Sequence, residues 1–201
     1  MSQTSKQVDW CLKKAKKEIE ECRKLNIRLR HRGLLKIDPI IEEARKHIEK
    51  AEYNLKSALD FVKTGHSGWS ISAFFYSMYH CFLSIAYKFG YESGNQNCTI
   101  SLIEYLKEKG KIDIDNKFIQ MFKYENNKDN DTDSIIEMRE DYTYGTKKDA
   151  SKEKTDELTI LCKELIEKTK KIVLWHPPSP KGCSLTLTIT IKLKYKISFM
   201  V

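Results

Sequence analysis

The chain has 201 residues, enough for one domain with a sizeable core, and it is 40% hydrophobic and 32% charged. Its 8 glycines and 4 prolines are too few for a loop-rich fold or a β-sandwich. The net charge of +8 belongs to the two ends, since residues 1–33 hold 10 Lys/Arg against 4 Asp/Glu and residues 175–201 hold 4 Lys and no acid. The basic character therefore does not describe the core. It fits solvated helix faces at the ends, with binding of RNA or an acidic partner as the alternative.

The six cysteines carry no metal-binding pattern. None belongs to a C-x-x-C pair and no histidine stands at ligand spacing from them, which argues against a zinc site. The chain opens with polar residues and a charged run in place of a secretory signal, so we expect a cytoplasmic protein with free thiols and no cofactor. The cysteines are residues 11, 22, 81, 98, 162 and 183.

The first segment, residues 1–33, is predicted to form a basic amphipathic helix. Its apolar positions recur at steps of three and four from Val8 to Leu25, with lysines and glutamates on the other faces. Gly33 is the expected stop. The basic cluster at residues 28–32 either complements the dipole at the end of this helix or binds phosphate.

Residues 34–174 are predicted to form an antiparallel up-and-down helical bundle, so the fold class is all-α. Asp38 and Pro39 fit a capping carboxylate followed by proline at the first helical position. An apolar stripe then continues for about six turns. His47 and Tyr53 fall outside this stripe and are expected at the surface.

The next helix, residues 69–89, is apolar on nearly every face and carries a single charge near its end. Such a helix must be enclosed by other helices or by lipid. Its serines and its histidine, and the lack of a second apolar span, favour the centre of a soluble bundle with no membrane contact. The turn at 66–68 is short, which makes an antiparallel hairpin with the preceding helix.

The last third of the chain is predicted to hold shorter helices and one long one. Ser101 fits a capping box that opens a short helix ending at Gly110. The final long helix is expected over residues 150–174. Residues 175–201 then alternate apolar and polar side chains, which indicates an irregular or strand-like tail.

The segment REDYTYG, residues 139–145, holds the candidates for chemistry. By residue type alone, Glu140 and Asp141 fit surface ion pairs, and Tyr142 and Tyr144 fit packing positions. An arginine near acids and tyrosines is therefore open to two interpretations, a structural cluster or a functional site.

Three segments in this order resemble a HEPN domain of the small stand-alone prokaryotic type. They are ARKHIEKAEYNLKSALDF at residues 44–61, AFFYSMYHCFLSIAY at residues 73–87, and Arg139 separated by four residues from the pair Tyr144-Gly145. The last is similar to the R-x4-6-H motif of the family, with Tyr144 in the histidine position. The resemblance covers residues 36–174 and implies the helical bundle of that family.

Active members of this family are metal-independent ribonucleases in which two copies face each other. A 2′-hydroxyl attacks the adjacent phosphate, a histidine moves protons and an arginine stabilises the added negative charge. The resemblance assigns the arginine role to Arg139, whereas Tyr144 stands in the histidine position. Phenols in model compounds have a pKa of about 10 and are poor bases at pH 7. Asp141 would orient Arg139 or accept a nucleotide hydroxyl, unless it makes a simple ion pair. His80 would replace the histidine, unless it is a half-buried side chain bonded to a neighbouring helix.

The resemblance also implies a homodimer that binds RNA or nucleotide without fast cleavage and acts beside a minimal nucleotidyltransferase, as in a toxin–antitoxin pair. Tyr142 and Tyr144 are then candidate acceptors of the transferred group. Tyr76 and Tyr79 are either core aromatics or stacking platforms for bases. Two alternatives are a weak ribonuclease that uses Arg139 and a purely structural dimerisation module.

Overall fold

A computed structural model of the chain describes residues 2–124 and 134–174. These residues form seven α-helices and one two-stranded antiparallel sheet, which confirms the predicted all-α bundle; the predicted tail at 175–201 lies outside the described residues. The elements are α1 (Gln3–Lys24), β1 (Leu34–Lys36), α2 (Ile41–Lys63), α3 (Ser67–Lys88), β2 (Tyr91–Ser93), α4 (Gln96–Glu108), α5 (Asn116–Gln120), α6 (Ile135–Tyr144) and α7 (Lys152–Leu174).

Helix α3 is the centre of the bundle. It packs against α2, α4, α6 and α7, and its large apolar side chains fill the core. Trp69 and Tyr76 are the two exposed residues of this helix, at 57% and 47% of their full accessibility. They lie seven residues apart and therefore on one face, which makes a narrow solvent-facing strip along an otherwise enclosed helix.

The seam between α2 and α3 repeats every seven residues on both helices. Ala44, Ala51 and Ala58 of α2 are completely buried, and buried serines of α3 stand opposite them. The Ser84 hydroxyl donates to the Ala44 carbonyl at 2.7 Å, and the Ser77 hydroxyl donates to the Ala51 carbonyl at 2.8 Å. Small side chains let the two backbones approach closely, and the carbonyls satisfy the buried hydroxyls. This pairing explains why an apolar central helix contains serines.

The predicted start of α4 is wrong. The helix begins at Gln96, where the Asn95 side chain accepts a hydrogen bond from the Cys98 amide at 3.1 Å. Ser101 lies inside the helix and its hydroxyl donates to the Asn97 carbonyl at 2.9 Å. Asn95 is as good a cap as serine, and the apolar residues that follow it set the true boundary.

The short sheet was not expected from the sequence. The hairpin of α2 and α3 returns the chain to its starting end, so β1 and β2 meet there with Leu34 opposite Ser93. Helix α1 ends at Lys24, well before the predicted stop at Gly33. The basic cluster at residues 28–32 consequently lies in the connection to β1 and does not complement the end of α1.

The expectation of free thiols is wrong for Cys11 and Cys98. These two buried residues form a disulfide that links α1 to α4 across 87 residues of sequence. The other described cysteines, Cys22, Cys81 and Cys162, are free and buried. The disulfide links α1 covalently to the bundle. Helix α1 also packs against α4 and β1.

Candidate functional site

Arg139 is carried on α6, whose first turn is anchored in the core by Ile135 and Ile136. Its guanidinium carbon lies 4.3 Å from the centroid of the Phe75 ring on α3, and the side chain remains 20% exposed. Its Nη2 atom is 3.7 Å from a carboxylate oxygen of Glu140. A cation over an aromatic face is attracted by the ring quadrupole, so Phe75 fixes the position of the guanidinium.

Phe75, which carries the guanidinium, also contacts two of the predicted tyrosines. The Tyr76 ring meets Phe75 edge-on with centroids 5.1 Å apart, and the Tyr79 ring stacks on Phe75 at 5.9 Å. Phe122 completes the group at 5.3 Å from Phe75. We call these five residues the arginine–aromatic cluster.

The two tyrosines of the cluster differ in what they can do. The Tyr79 hydroxyl is hydrogen-bonded to the Thr99 hydroxyl at 3.1 Å, and burial raises the pKa of Tyr79. This residue is a core aromatic. Tyr76 is 47% exposed, and its ring contacts the same Phe75 side chain that carries the Arg139 guanidinium. The structure therefore leaves Tyr76 as the residue of the pair that can stack on a base.

His80 belongs to a separate group. Its Nδ1 atom is 2.8 Å from Nδ1 of His47 on α2, and the Tyr87 ring stacks on His47 with centroids 5.2 Å apart. Burial and the positive charges of a protonated His47 and of Lys50 lower the pKa of His80 to about 4, and burial lowers the pKa of His47. The half-buried His47 was predicted to be a surface residue, and this pairing is the reason that it is not.

The two acids next to Arg139, Glu140 and Asp141, have different partners. Glu140 contacts Arg139 and accepts a hydrogen bond from the Tyr124 hydroxyl at 2.8 Å. Asp141 is exposed and pairs with Lys147 at 2.7 Å. Glu140, and not Asp141, is thus the carboxylate placed to orient the guanidinium.

Tyr142 and Tyr144 lie in contrasting surroundings. The Tyr142 hydroxyl donates to the Asp149 carbonyl at 3.4 Å, and its half-buried ring packs on the core. Tyr144 is 82% exposed at the last position of α6, and its hydroxyl has no hydrogen-bond partner among the described residues. A cavity of about 570 Å³ beside Tyr142 is lined by His66 and Trp69 on the α2–α3 side.

Sequence reasoning missed Phe75, Glu140 as the partner of Arg139, and His47. Phe75 stands in the aromatic segment of residues 73–87, but contacts between an arginine and a phenylalanine on different helices have no sequence signal. Among residues 2–124 and 134–174, no group of three or more His, Cys, Asp or Glu side chains is placed to hold a metal ion. Over the same residues, no helix combines the length and apolarity that a membrane span requires.

A family model described as the HEPN domain matches residues 44–175, which is more than half of the chain. A search of curated proteins finds no match. The matched region runs from α2 through α7 and includes the seam, the strip on α3 and Arg139. The chain therefore belongs to the HEPN domain family.

Proposed function

We propose that this protein binds RNA through Arg139 and Tyr76. The observation that carries the proposal is the guanidinium seated on Phe75 next to an exposed tyrosine ring. A guanidinium recognises phosphate oxygens, and an exposed aromatic ring stacks on bases with little dependence on sequence. The pair thus offers one contact for the backbone and one for a base of single-stranded RNA.

The proposed role is binding without fast cleavage. Proton transfer near pH 7 needs a group with a pKa near that value, and the family's histidine position holds Tyr144. His80 is bonded to His47, on the α2 side of α3, and its pKa of about 4 makes it a weak base. Arg139 alone stabilises charge but does not move a proton.

The test combines binding and cleavage with one labelled single-stranded RNA. Fluorescence anisotropy in the presence of EDTA should show that Arg139→Ala and Tyr76→Ala each weaken binding roughly tenfold, from loss of a phosphate contact or a stacked base. Arg45→Ala removes an exposed arginine from α2 and is the matched control. Equal affinity of the Arg139 variant and the parent contradicts the proposal. Metal-free cleavage by the parent that is lost in Arg139→Ala would support the ribonuclease alternative.

We further propose that two copies associate through the strip on α3. Trp69 and Tyr76 are exposed there, and Phe61 of α2 is 39% exposed. Burial of such aromatic surface against a second copy is favourable. Light scattering after size exclusion should give a dimer mass for the parent and a monomer mass for Trp69→Glu. A parent that stays monomeric at high concentration rules out this surface and the structural dimerisation alternative together.

The proposed partner is a minimal nucleotidyltransferase, and Tyr144 is the proposed acceptor. Its exposed phenol is open to an approaching enzyme, whereas the Tyr142 hydroxyl is engaged by the Asp149 carbonyl. The phenol oxygen would attack the α-phosphate of a nucleoside triphosphate, and pyrophosphate would leave. Mass spectrometry after co-expression should place one nucleoside monophosphate on Tyr144, and Tyr144→Phe should abolish it. Modification of Tyr142 alone, or of neither residue, refutes this assignment.

A further inference from the structure

A second surface, away from Arg139, has the composition of a ligand site. A cavity of about 610 Å³ lies where the C-terminal ends of α3 and α7 meet the connection between α4 and α5. Four lysines surround it, and we call it the lysine-rimmed cavity. Its lining includes Lys88, Lys111, Lys168, Lys171, Phe89 and Ile172.

The positive charge around this cavity is only partly neutralised by neighbouring acids. Lys168 pairs with Asp115 at 2.9 Å, and Asp113 is the acid that lines the cavity. Within the part of the chain that the structure describes, Lys88, Lys111 and Lys171 have no ion pair. Three lysines therefore face a single aspartate, and the cavity attracts an anion.

Lysines at helix C-termini also complement helix dipoles, which accounts for Lys88 and Lys171 taken alone. Lys111 is different because it lies outside a helix, in the turn after α4. Its backbone amide donates to the Leu106 carbonyl at 2.9 Å, so this turn is held in place. Interaction with helix dipoles also does not explain why the four lysines surround an apolar surface.

The floor of the cavity is apolar and belongs to the core. Ile112 is 7% exposed, and the half-buried Phe89 and Ile172 pack on the core cluster. Cavities of this volume hold small molecules, with apolar walls that enclose the body of the ligand and a few polar groups that orient it. We propose that the lysine-rimmed cavity binds a small organic anion, a carboxylate or a phosphate monoester with an aromatic or aliphatic body.

This site is separate from the arginine–aromatic cluster. Lys88 follows Phe75 by thirteen residues on the same helix, which places it about 20 Å farther along α3. The proposal therefore does not depend on the proposed RNA binding, and a variant of the cavity leaves Arg139 and Tyr76 untouched.

The test is a titration of the full-length, 15N-labelled protein followed by amide chemical shifts. The probes are phenyl phosphate, octanoate, inorganic phosphate and benzyl alcohol. Phenyl phosphate or octanoate should shift amides at residues 88–89, 111–113 and 168–172. Inorganic phosphate has no body and benzyl alcohol has no charge, so both should bind at least tenfold more weakly.

Variants connect the shifts to the lysines. Lys171→Glu reverses one charge at the rim and should raise the dissociation constant roughly tenfold, for a charge about 5 Å from the anion in water. Lys163→Glu makes the same change at an exposed position of α7 outside the cavity and should leave the constant unchanged. The proposal is overturned by shifts outside the cavity, by inorganic phosphate binding as tightly as phenyl phosphate, or by equal effects of the two variants.

Discussion

The contact between His47 and His80 makes the stability of the bundle depend on pH. With the two Nδ1 atoms 2.8 Å apart, one imidazole donates and the other accepts, so the accepting ring carries no proton on Nδ1. Protonation of both rings would place two N–H groups against each other at the seam of α2 and α3. The imidazoles therefore have a lower proton affinity in the folded state than in the unfolded chain.

The sign follows from the lowered pKa values. His80 has a pKa of about 4 in the folded state, against about 6.5 in an unfolded chain. Between these values the unfolded state binds more protons, so the free energy of unfolding falls as the pH falls from 6.5 towards 4. A pKa difference of about 2.5 units between the folded and unfolded states corresponds to about 3.4 kcal/mol in the free energy of unfolding. The partial exposure of His80 reduces this contribution to about 1–2 kcal/mol.

The assay is urea denaturation followed by circular dichroism, at pH values from 7 to 4.5. His80→Gln removes the contact between imidazoles, so this variant should lose about 1–2 kcal/mol less stability on acidification than the parent. His66→Gln replaces an exposed histidine in the α2–α3 turn and should behave like the parent. Parallel loss of stability in the parent and in His80→Gln would show that the pair does not control the pH dependence.

Three further variants test the packing of the bundle. Cys98→Ser opens a covalent loop of 87 residues and should lower the free energy of unfolding by about 2–4 kcal/mol, a difference that a reducing agent should abolish. Ala51→Leu forces a large side chain into the fully buried seam and should cost about 1–3 kcal/mol in urea denaturation, whereas Tyr53→Leu at a 61% exposed site should cost much less. Gly68→Ala places a Cβ atom 2.2 Å from the Lys148 carbonyl oxygen and should lower the melting temperature; an unchanged value would contradict the close packing of α3 against residues 146–149.

The helical architecture could be predicted because the periodicity of apolar residues, which indicates helices, can be read from a single sequence. The stripe of α2 and the enclosed character of α3 fix which helices are amphipathic and which is central. The disulfide between Cys11 and Cys98 could not be predicted, since it depends on how α1 docks on α4 and not on spacing. The pairing of β1 with β2 is likewise a consequence of the hairpin that brings both segments to one end.

The sequence predicts which residue types belong to the candidate site better than it predicts the contacts between them. The sequence predicts Arg139 and Tyr76 as site residues, and in the structure both contact Phe75. Phe75 itself has no polar atom, so its residue type does not indicate a functional position. His80 was selected as a replacement for the missing histidine, and its bond to His47 depends on the register of two antiparallel helices. In that register the alanines of α2 face the serines of α3, a match that can be recognised in the sequence only after the partner helix is known.

The enclosure of α3 has a consequence for both proposed activities. Because four helices surround it, its solvent-facing strip is narrow, and Arg139 reaches α3 beside that strip through Phe75. RNA stacked on Tyr76, as proposed, and a second copy covering Trp69 would therefore use neighbouring parts of one surface. If the dimer buries Tyr76, RNA affinity should fall as protein concentration rises; if the dimer leaves it open, two clusters are combined in one binding surface and affinity should rise. Anisotropy measured across the concentration range of dimerisation, with monomeric Trp69→Glu as the reference, separates these two arrangements.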